Sequence, residues 1–377
     1  MKSTRKTTDK QAAPLQTPSG QGAPGQGAPG IGVAGRGAQS NPHNRFSRQG
    51  RGLLHLEGID ELPAARQPTQ FFMDTPRQIV NKVDSPDLGM MQSVNPYQGC
   101  EHGCIYCYAR NSHEYWGFSA GLDFESKIVV KKNAPELLEK QFASKAWTVA
   151  PIGLSGNTDC YQPAERQFGL TRRLLQTCLK WGNPVSIITK NSLILRDLDI
   201  LKPLAEEGLL HVYLSLTTLQ EELRRKMEPR TATAQRRLHT LQQLTEAGIP
   251  CGIMTAPIIP GLNSSEVWEL VKAGAAHGAL TAGYTVVRLN GQVGPIFKEW
   301  LHTHFPDRAA KVWNGICALH GGEVADSQWG RRINGEGQEA QAIRQLFRAA
   351  KQKFMAGRQM PAYRLDRFRP GGTLSLF

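Results

Sequence analysis

The stretch NPYQGCEHGCIYCYAR, residues 95–110, places Cys100, Cys104 and Cys107 within eight residues and sets tyrosines on both sides of the last one. Three thiols cannot pair off as disulfides. A closed structural zinc site takes four ligands, usually as paired C-x2-C knuckles, and no second knuckle follows. The spacing C-x3-C-x2-C therefore leaves a coordination set incomplete. Soft thiolates so spaced suit an iron–sulfur cluster, and a four-iron cubane held by three of them keeps one iron open for chemistry. Gly99 and Gly103 flank the cysteines, as a tight metal-wrapping loop requires. Two plainer readings stand beside this one: a zinc site completed by His102 or His113, and three thiols buried by chance.

What surrounds the loop gives it a place in a fold. MQSVNP (91–96) reads as a strand leading into it, and CYARNSHEYW as the start of a helix. SKIVVKK (126–132) is a short β-branched run, followed by a helix over 134–143. Strands are then expected at 149–156, 184–190, 210–216, 249–258 and 282–289. Helices are expected at 164–181, 193–208, 231–248 and 264–278, with Gly208 and Gly248 as C-terminal stops. Short apolar strands alternating with amphipathic helices are the signature of a parallel sheet covered by helices. Six βα units run from the strand before the cysteines to the strand at 282. That is too few for a closed eight-stranded barrel, so an α/β fold built on an open, partial (β/α)6 barrel is expected. Ligands of such folds gather at the C-terminal ends of the strands, where the cysteine loop stands.

The remainder of the chain bounds the function. Its 377 residues carry a net charge of +13. Residues 1–50 contribute +6 and residues 331–377 contribute +7, so 51–330 is neutral with 28 charges of each sign. Basic ends hold polyanions or merely solubilise. Residues 1–45, with the repeat GQGAPGQGAPG, lack the means to pack and are expected to be disordered. The expected domains are this arm, a wrapping segment at 46–90, a core at 91–330 and a basic, helical C-terminal extension at 331–377. Four of the seven cysteines are scattered singly. That usage points to a reducing, cytoplasmic setting and not to a disulfide framework. No run of about 18 apolar residues exists, so no membrane span is expected.

The cysteine motif after the first strand of a six-unit βα partial barrel resembles the radical S-adenosylmethionine (SAM) superfamily. The strings CIYCY, SGNTDCYQPAE (155–165), ITKN (188–191), LSLTTL (214–219), MEPRTA (227–232) and APIIPGLN (256–263) narrow the resemblance to its spore photoproduct lyase-like branch. The resemblance implies that Cys100, Cys104 and Cys107 hold a [4Fe–4S] cluster whose fourth ligand is SAM. It implies reductive cleavage of SAM to a 5′-deoxyadenosyl radical, hydrogen abstraction from a substrate, and an electron donor such as flavodoxin or ferredoxin. Tyr106 would lie near the adenine, and Thr158 and Asp159 near the methionyl ammonium. Lys190 would face its carboxylate, Ser215 would bond a ribose hydroxyl, and Arg230 would pair with a carboxylate. Tyr108 matches a tyrosine implicated in radical return. The lyases' hydrogen-donor cysteine falls at Gly156 here, which leaves Cys160 as a substitute donor or as an inert core thiol. The substrate classes left open are a nucleic-acid lesion or modified base, and a protein or metabolite. A non-catalytic iron–sulfur or zinc module is the further alternative. The C-terminal AYRLDRFRPGG (362–372) could bind phosphates and bases or cap the barrel.

Overall fold

The computed structural model describes residues 35–46, 68–83, 85, 87 and 92–371. Ten strands are present among them: β1 (Gln70–Asp74), β2 (Val80–Lys82), β3 (Gln92–Val94), β4 (Tyr97–Gln98), β5 (Lys127–Lys131), β6 (Ile152–Leu154), β7 (Val185–Thr189), β8 (Leu210–Ser215), β9 (Cys251–Ile258) and β10 (Thr281–Val286). The main sheet runs β10-β9-β8-β7-β6-β3-β2. Its six strands from β3 to β10 are parallel, and β2 pairs antiparallel with β3. Consecutive parallel strands lie side by side, so the sheet winds one way like part of a barrel, and among the described residues it does not close. The expected open (β/α)6 barrel is what the chain adopts. The β-branched run at 126–132 belongs elsewhere. It forms the centre of a small sheet, β1-β5-β4, beside the cysteine loop.

The helices follow their apolar spacing. Leu170–Trp181 buries Leu170, Leu174, Leu175, Cys178 and Trp181 and ends at Gly182, whose φ of +65° no side chain adopts readily. The expected single helix at 164–181 is broken at Gly169 (φ +60°) into Glu165–Phe168 and Leu170–Trp181. The expected helix at 193–208 opens instead as a 3-10 turn, Ser192–Asp197, because the Asn191 side chain accepts from the Leu193 amide; Leu198–Glu206 follows as α-helix. Thr233 caps Ala234–Glu246 by accepting from the Arg236 amide at 3.1 Å.

The C-terminal extension has a structural role. Helix Gly337–Phe354 buries Ala340, Ile343, Phe347 and Ala350. Phe347 meets Tyr284 of β10 at 4.6 Å between ring centroids. Beyond it, Tyr363 stacks on His211 at 3.9 Å, and the amides of Arg364 and Arg369 donate to Gly208 O and Trp181 O. Gly208 and Trp181 lie just before β8 and β7. The segment therefore caps the N-terminal edge of the sheet, opposite the cysteines. Its arginines satisfy carbonyls at and just beyond helix C-termini: Arg358 donates to Ala275 O and to Ala279 O in the loop that follows, and Arg369 to Leu179 O. Part of the basic excess at this end thus belongs to the fold.

Disorder over 1–45 is overturned for its last part. Residues 1–34 lie outside the described residues, but 35–46 dock on the cysteine loop, with Ala38 fully buried. Apart from Ala38 and the Phe46 ring, which stacks on Tyr115 at 4.9 Å, the packing makes little use of apolar side chains, which is why composition gave little sign of it. It rests mainly on polar contacts, from side chains such as Asn41 and Asn44 and from backbone amides described next.

Candidate active site

β3 delivers the chain to the C-terminal edge of the sheet, and β4 turns it into the loop. The Cys100 amide donates to Phe124 O at 2.9 Å, and the Ile105 amide to Met227 O at 3.0 Å. Gly99 (φ +80°) and Gly103 (φ +67°) are required by space as well as by conformation. A Cβ on Gly99 would stand 2.9 Å from Lys127 O, and one on Gly103 2.7 Å from Glu125 Oε2.

Arg110, fully buried, grips the loop from behind. Its Nε and Nη2 donate to Cys104 O at 3.1 and 2.9 Å, and its Nη1 donates to Ala120 O and Gly121 O. Nη2 also pairs with Glu125 at 2.5 Å, both side chains being wholly buried. Glu125 completes its shell with the amides of Gly37 (2.9 Å) and Ala38 (2.8 Å). The 35–46 strap thus satisfies the carboxylate that holds the arginine that holds Cys104. Arg110 follows the third cysteine by three residues, a position that local reading treated as ordinary helix.

Burial pushes the Cys104 thiol up to about 12 and raises Cys100 and Cys107 as well. Thiols so placed ionise against a bound cationic centre, and three soft sulfur donors in a glycine cradle fit an iron–sulfur cluster. Among the described residues, no three His, Cys, Asp or Glu side chains close on a single metal ion. The histidines of the zinc reading are placed for other purposes. His102 Nε2 meets Asn191 at 3.2 Å, and its Nδ1 lies 3.3 Å from Asp159. His113 is packed against Phe118 and Phe124, and burial lowers its pKa to about 4.

Beside Cys104 lies a second buried network. Glu228 accepts from Tyr106 and Thr217 and pairs with Arg237 at 2.5 Å. Arg237 also donates to Ser215 O and Ala232 O, both at 2.9 Å. Burial alone would raise the Glu228 carboxyl. The Arg237 and Lys190 charges and the hydrogen bonds from Thr217 and Tyr106 outweigh it and hold it at about 2. Lys190, just past β7, sets its ammonium 6.0 Å from the Tyr106 ring centroid. Ser215 closes β8 at the same edge. The structure therefore gathers Cys104, Tyr106, Lys190 and Ser215, together with Glu228, Arg237 and Thr217, which sequence reading had not assigned.

Other expected site residues face elsewhere. Thr158 donates to Tyr97 O at 2.7 Å. Asp159 accepts from the Tyr161 amide and Thr189 Oγ1 on one oxygen and from the Lys190 amide on the other. Both bond the protein's own backbone, and Asp159 positions Lys190. Arg230 pairs with Glu101 at 3.3 Å, not with Glu228. Cys160 is fully buried in the main core with Leu174 and Tyr161, so the structure does not bring it to the site. Tyr108 does reach the mouth: it is 52% exposed and its hydroxyl donates to Gly156 O.

The family model of the radical SAM superfamily matches residues 94–273. An uncharacterised protein of Mycobacterium tuberculosis (strain ATCC 25618 / H37Rv) is 34% identical over 238 residues, covering 62% of this chain and 70% of the relative. The radical SAM Nalpha-GlyT isomerase of Pseudomonas phage M6 is 25% identical over 225 residues, covering 59% of this chain and 45% of that one. Among solved structures, spore photoproduct lyase complexed with dinucleoside spore photoproduct superposes with a TM-score of 0.56 at 16% identity, covering 82% of this chain and 86% of the lyase. The chain belongs to the radical SAM superfamily, and its fold is of the spore photoproduct lyase kind. The family implies a [4Fe–4S] cluster, SAM and a reductant. No helix among the described residues is long and apolar enough to cross a membrane.

Proposed function

We propose that this protein is a radical SAM enzyme that abstracts hydrogen from a nucleic-acid lesion or modified base. The observation that carries the reading is the three-cysteine loop at the C-terminal edge of β3, locked through Arg110 and Glu125. When bound at Cys100, Cys104 and Cys107, a [4Fe–4S] cluster supplies the electron that cleaves the SAM sulfonium. Lys190 offers its ammonium to the SAM carboxylate, and Tyr106, fixed by Glu228, flanks the adenine. Ser215 stands at the ribose. Thr158 and Asp159 act through the backbone, and Arg230 through Glu101. Tyr108 is the redox-competent side chain at the mouth.

The nucleic-acid substrate is supported by the fold shared with the lyase complexed with dinucleoside spore photoproduct and by the basic ends. An electron donor such as flavodoxin or ferredoxin would serve as reductant, in a reducing compartment that suits the free thiols.

Anaerobically purified, reduced protein given SAM should release 5′-deoxyadenosine. Cys104→Ala should release none, and Cys160→Ala should keep most of the wild-type yield. A protein that binds iron and SAM but yields no 5′-deoxyadenosine, with or without DNA, would return the chain to a non-catalytic module. Loss of substrate from cell extracts after protease but not nuclease treatment would favour a protein substrate.

A further inference from the structure

Four segments meet around Tyr108, and hydrogen bonds fix their proximity. Tyr108 itself reaches the loop after β6 through Gly156. Asn111, three residues on, donates to Asn290 O at 2.8 Å and accepts from the Gln292 amide at 2.9 Å, which ties the loop after β10 to the cysteine helix. Asn290 in turn accepts from the Asp326 amide at 2.9 Å and binds the segment that carries Trp329 and Arg332. Arg288 lies two residues past β10, inside this ring.

The charges there are unevenly matched. Arg331 is paired with Asp326 at 2.7 Å, and Arg332 with Asp87, its Nε 2.7 Å from Oδ2. Arg288 is half-buried, and no hydrogen bond or ion pair engages its guanidinium among the described residues. Burial and the neighbouring Arg332 charge both lower its pKa, while Asp87 and Asp326, the nearby carboxylates, are engaged by other cations. An unpartnered, partly desolvated guanidinium next to a like charge is a site in want of an anion, and its planar fork matches a phosphate. Two exposed aromatic rings stand on the segments that meet here, Tyr108 near Arg288 and Trp329 beside Arg332. Tyr108 is 52% exposed and Trp329 51% exposed, with the Arg332 guanidinium 4.1 Å from the Trp329 ring centroid. Exposed rings beside cations are the elements by which single strands are held without sequence preference.

We propose that Arg288, with Arg332 and the exposed rings of Tyr108 and Trp329, forms a subsite for one phosphate and an adjoining base of a single-stranded nucleic acid at the mouth of the cysteine site. This rests on the nucleic-acid reading above and names the groups that would carry it. Unlike a general attraction to the basic ends, this subsite fixes the register in which a strand meets the cysteine site, whatever its sequence.

The test is binding of a fluorescein-labelled single-stranded oligonucleotide to the full-length, cluster-loaded chain over a series of salt concentrations. Losing one phosphate contact lowers the slope of log K against log salt by about 0.7, so Arg288→Ala should show that loss together with weaker binding. Arg288→Lys, which keeps the charge, should retain the slope. Trp329→Ala should weaken binding about tenfold and leave the slope alone, because stacking releases no counterions. Iron content equal to wild type confirms that each variant folds; if Arg288→Ala loses iron, Arg288→Lys and Trp329→Ala carry the test. Unchanged affinity and slope in Arg288→Ala would overturn the proposal. Competition by inorganic phosphate or a mononucleotide as effective as by unlabelled oligonucleotide would also overturn it, as the sign of a simple anion site. The slope loss in a protein that makes no 5′-deoxyadenosine would sustain the subsite while the enzymatic reading fails. Release of 5′-deoxyadenosine by a protein that binds no oligonucleotide would do the reverse.

Discussion

Gly37→Val should yield a protein that takes up far less iron and bleaches faster in air than wild type. The expectation follows from one distance: a Cβ at position 37 would stand 1.8 Å from Gly103 O. The atom it meets is backbone of the cysteine loop, so no side chain can swing aside. Either the strap leaves or the loop moves. If the strap leaves, Glu125, fully buried with the strap in place, loses the amides of Gly37 and Ala38. Two hydrogen bonds to a charged group are worth about 1.5–3 kcal/mol each, so the local cost is at least ~3 kcal/mol. Arg110 then grips Cys104 O from a partner that is itself under-satisfied. Iron and sulfide content after reconstitution, and the decay of cluster absorbance in air, measure the effect. Wild-type iron content and wild-type air stability in Gly37→Val would show that the strap is dispensable. Glu125→Ala should fail in the same direction, since it removes the other half of the same contact.

That strap also marks where sequence reading stopped. The six parallel strands were legible because each lies within an alternation of apolar runs and amphipathic helices, and Gly208 and Gly248 punctuate two of those helices with φ of +70° and +80°. The cysteines were legible because a ligand set spaced by three and two residues is a local pattern. Residues 35–46 read as filler because, with Ala38 and Phe46 the exceptions, they are Gly, Pro and polar residues with no periodic apolar face. Their anchor, Glu125, is 87 residues away from Ala38 in sequence, and the bond uses the strap's backbone, which composition does not register. The helix break at Gly169 was missed for the opposite reason: the flanking apolar spacing is good enough to hide a single left-handed residue. At Thr158 and Asp159 the residue types suited a ligand ammonium, yet their bonds to Tyr97 O and to the Tyr161 and Lys190 amides are those of a turn that shapes the strand ends. Glu228 and Arg237 escaped because burial, not spacing, makes them partners: one stands second in MEPRTA and the other lies a full turn inside the next helix.

Glu228→Ala should be among the most damaging single changes in the chain, and the double variant Glu228→Ala/Arg237→Met should be markedly milder than the sum of its parts. Glu228 is fully buried and Arg237 nearly so. Removing the carboxylate leaves a guanidinium in the protein interior with backbone carbonyls but no counter-charge, a situation that costs about 3–5 kcal/mol. Removing both charges abolishes that penalty and leaves the lost hydrogen bonds to Thr217 and Tyr106. A double-mutant cycle in chemical denaturation should therefore give a coupling of several kcal/mol, and strict additivity would show that the two residues are independent. The pH dependence has a fixed sign. The Glu228 carboxyl, ordinarily near 4.5, is held at about 2 in the folded chain. Its contribution is fully present above about pH 4.5, declines as pH falls toward 2 and is lost below that. Wild type should lose stability across that interval more steeply than the double variant, which has no carboxylate to protonate there. The same variants separate structure from cosubstrate binding. Tyr106 loses its carboxylate partner in both, so if Glu228 fixes Tyr106 against the adenine, SAM affinity should fall in the stable double variant as well as in the unstable single one. Full SAM affinity in the double variant would confine Glu228 to the fold.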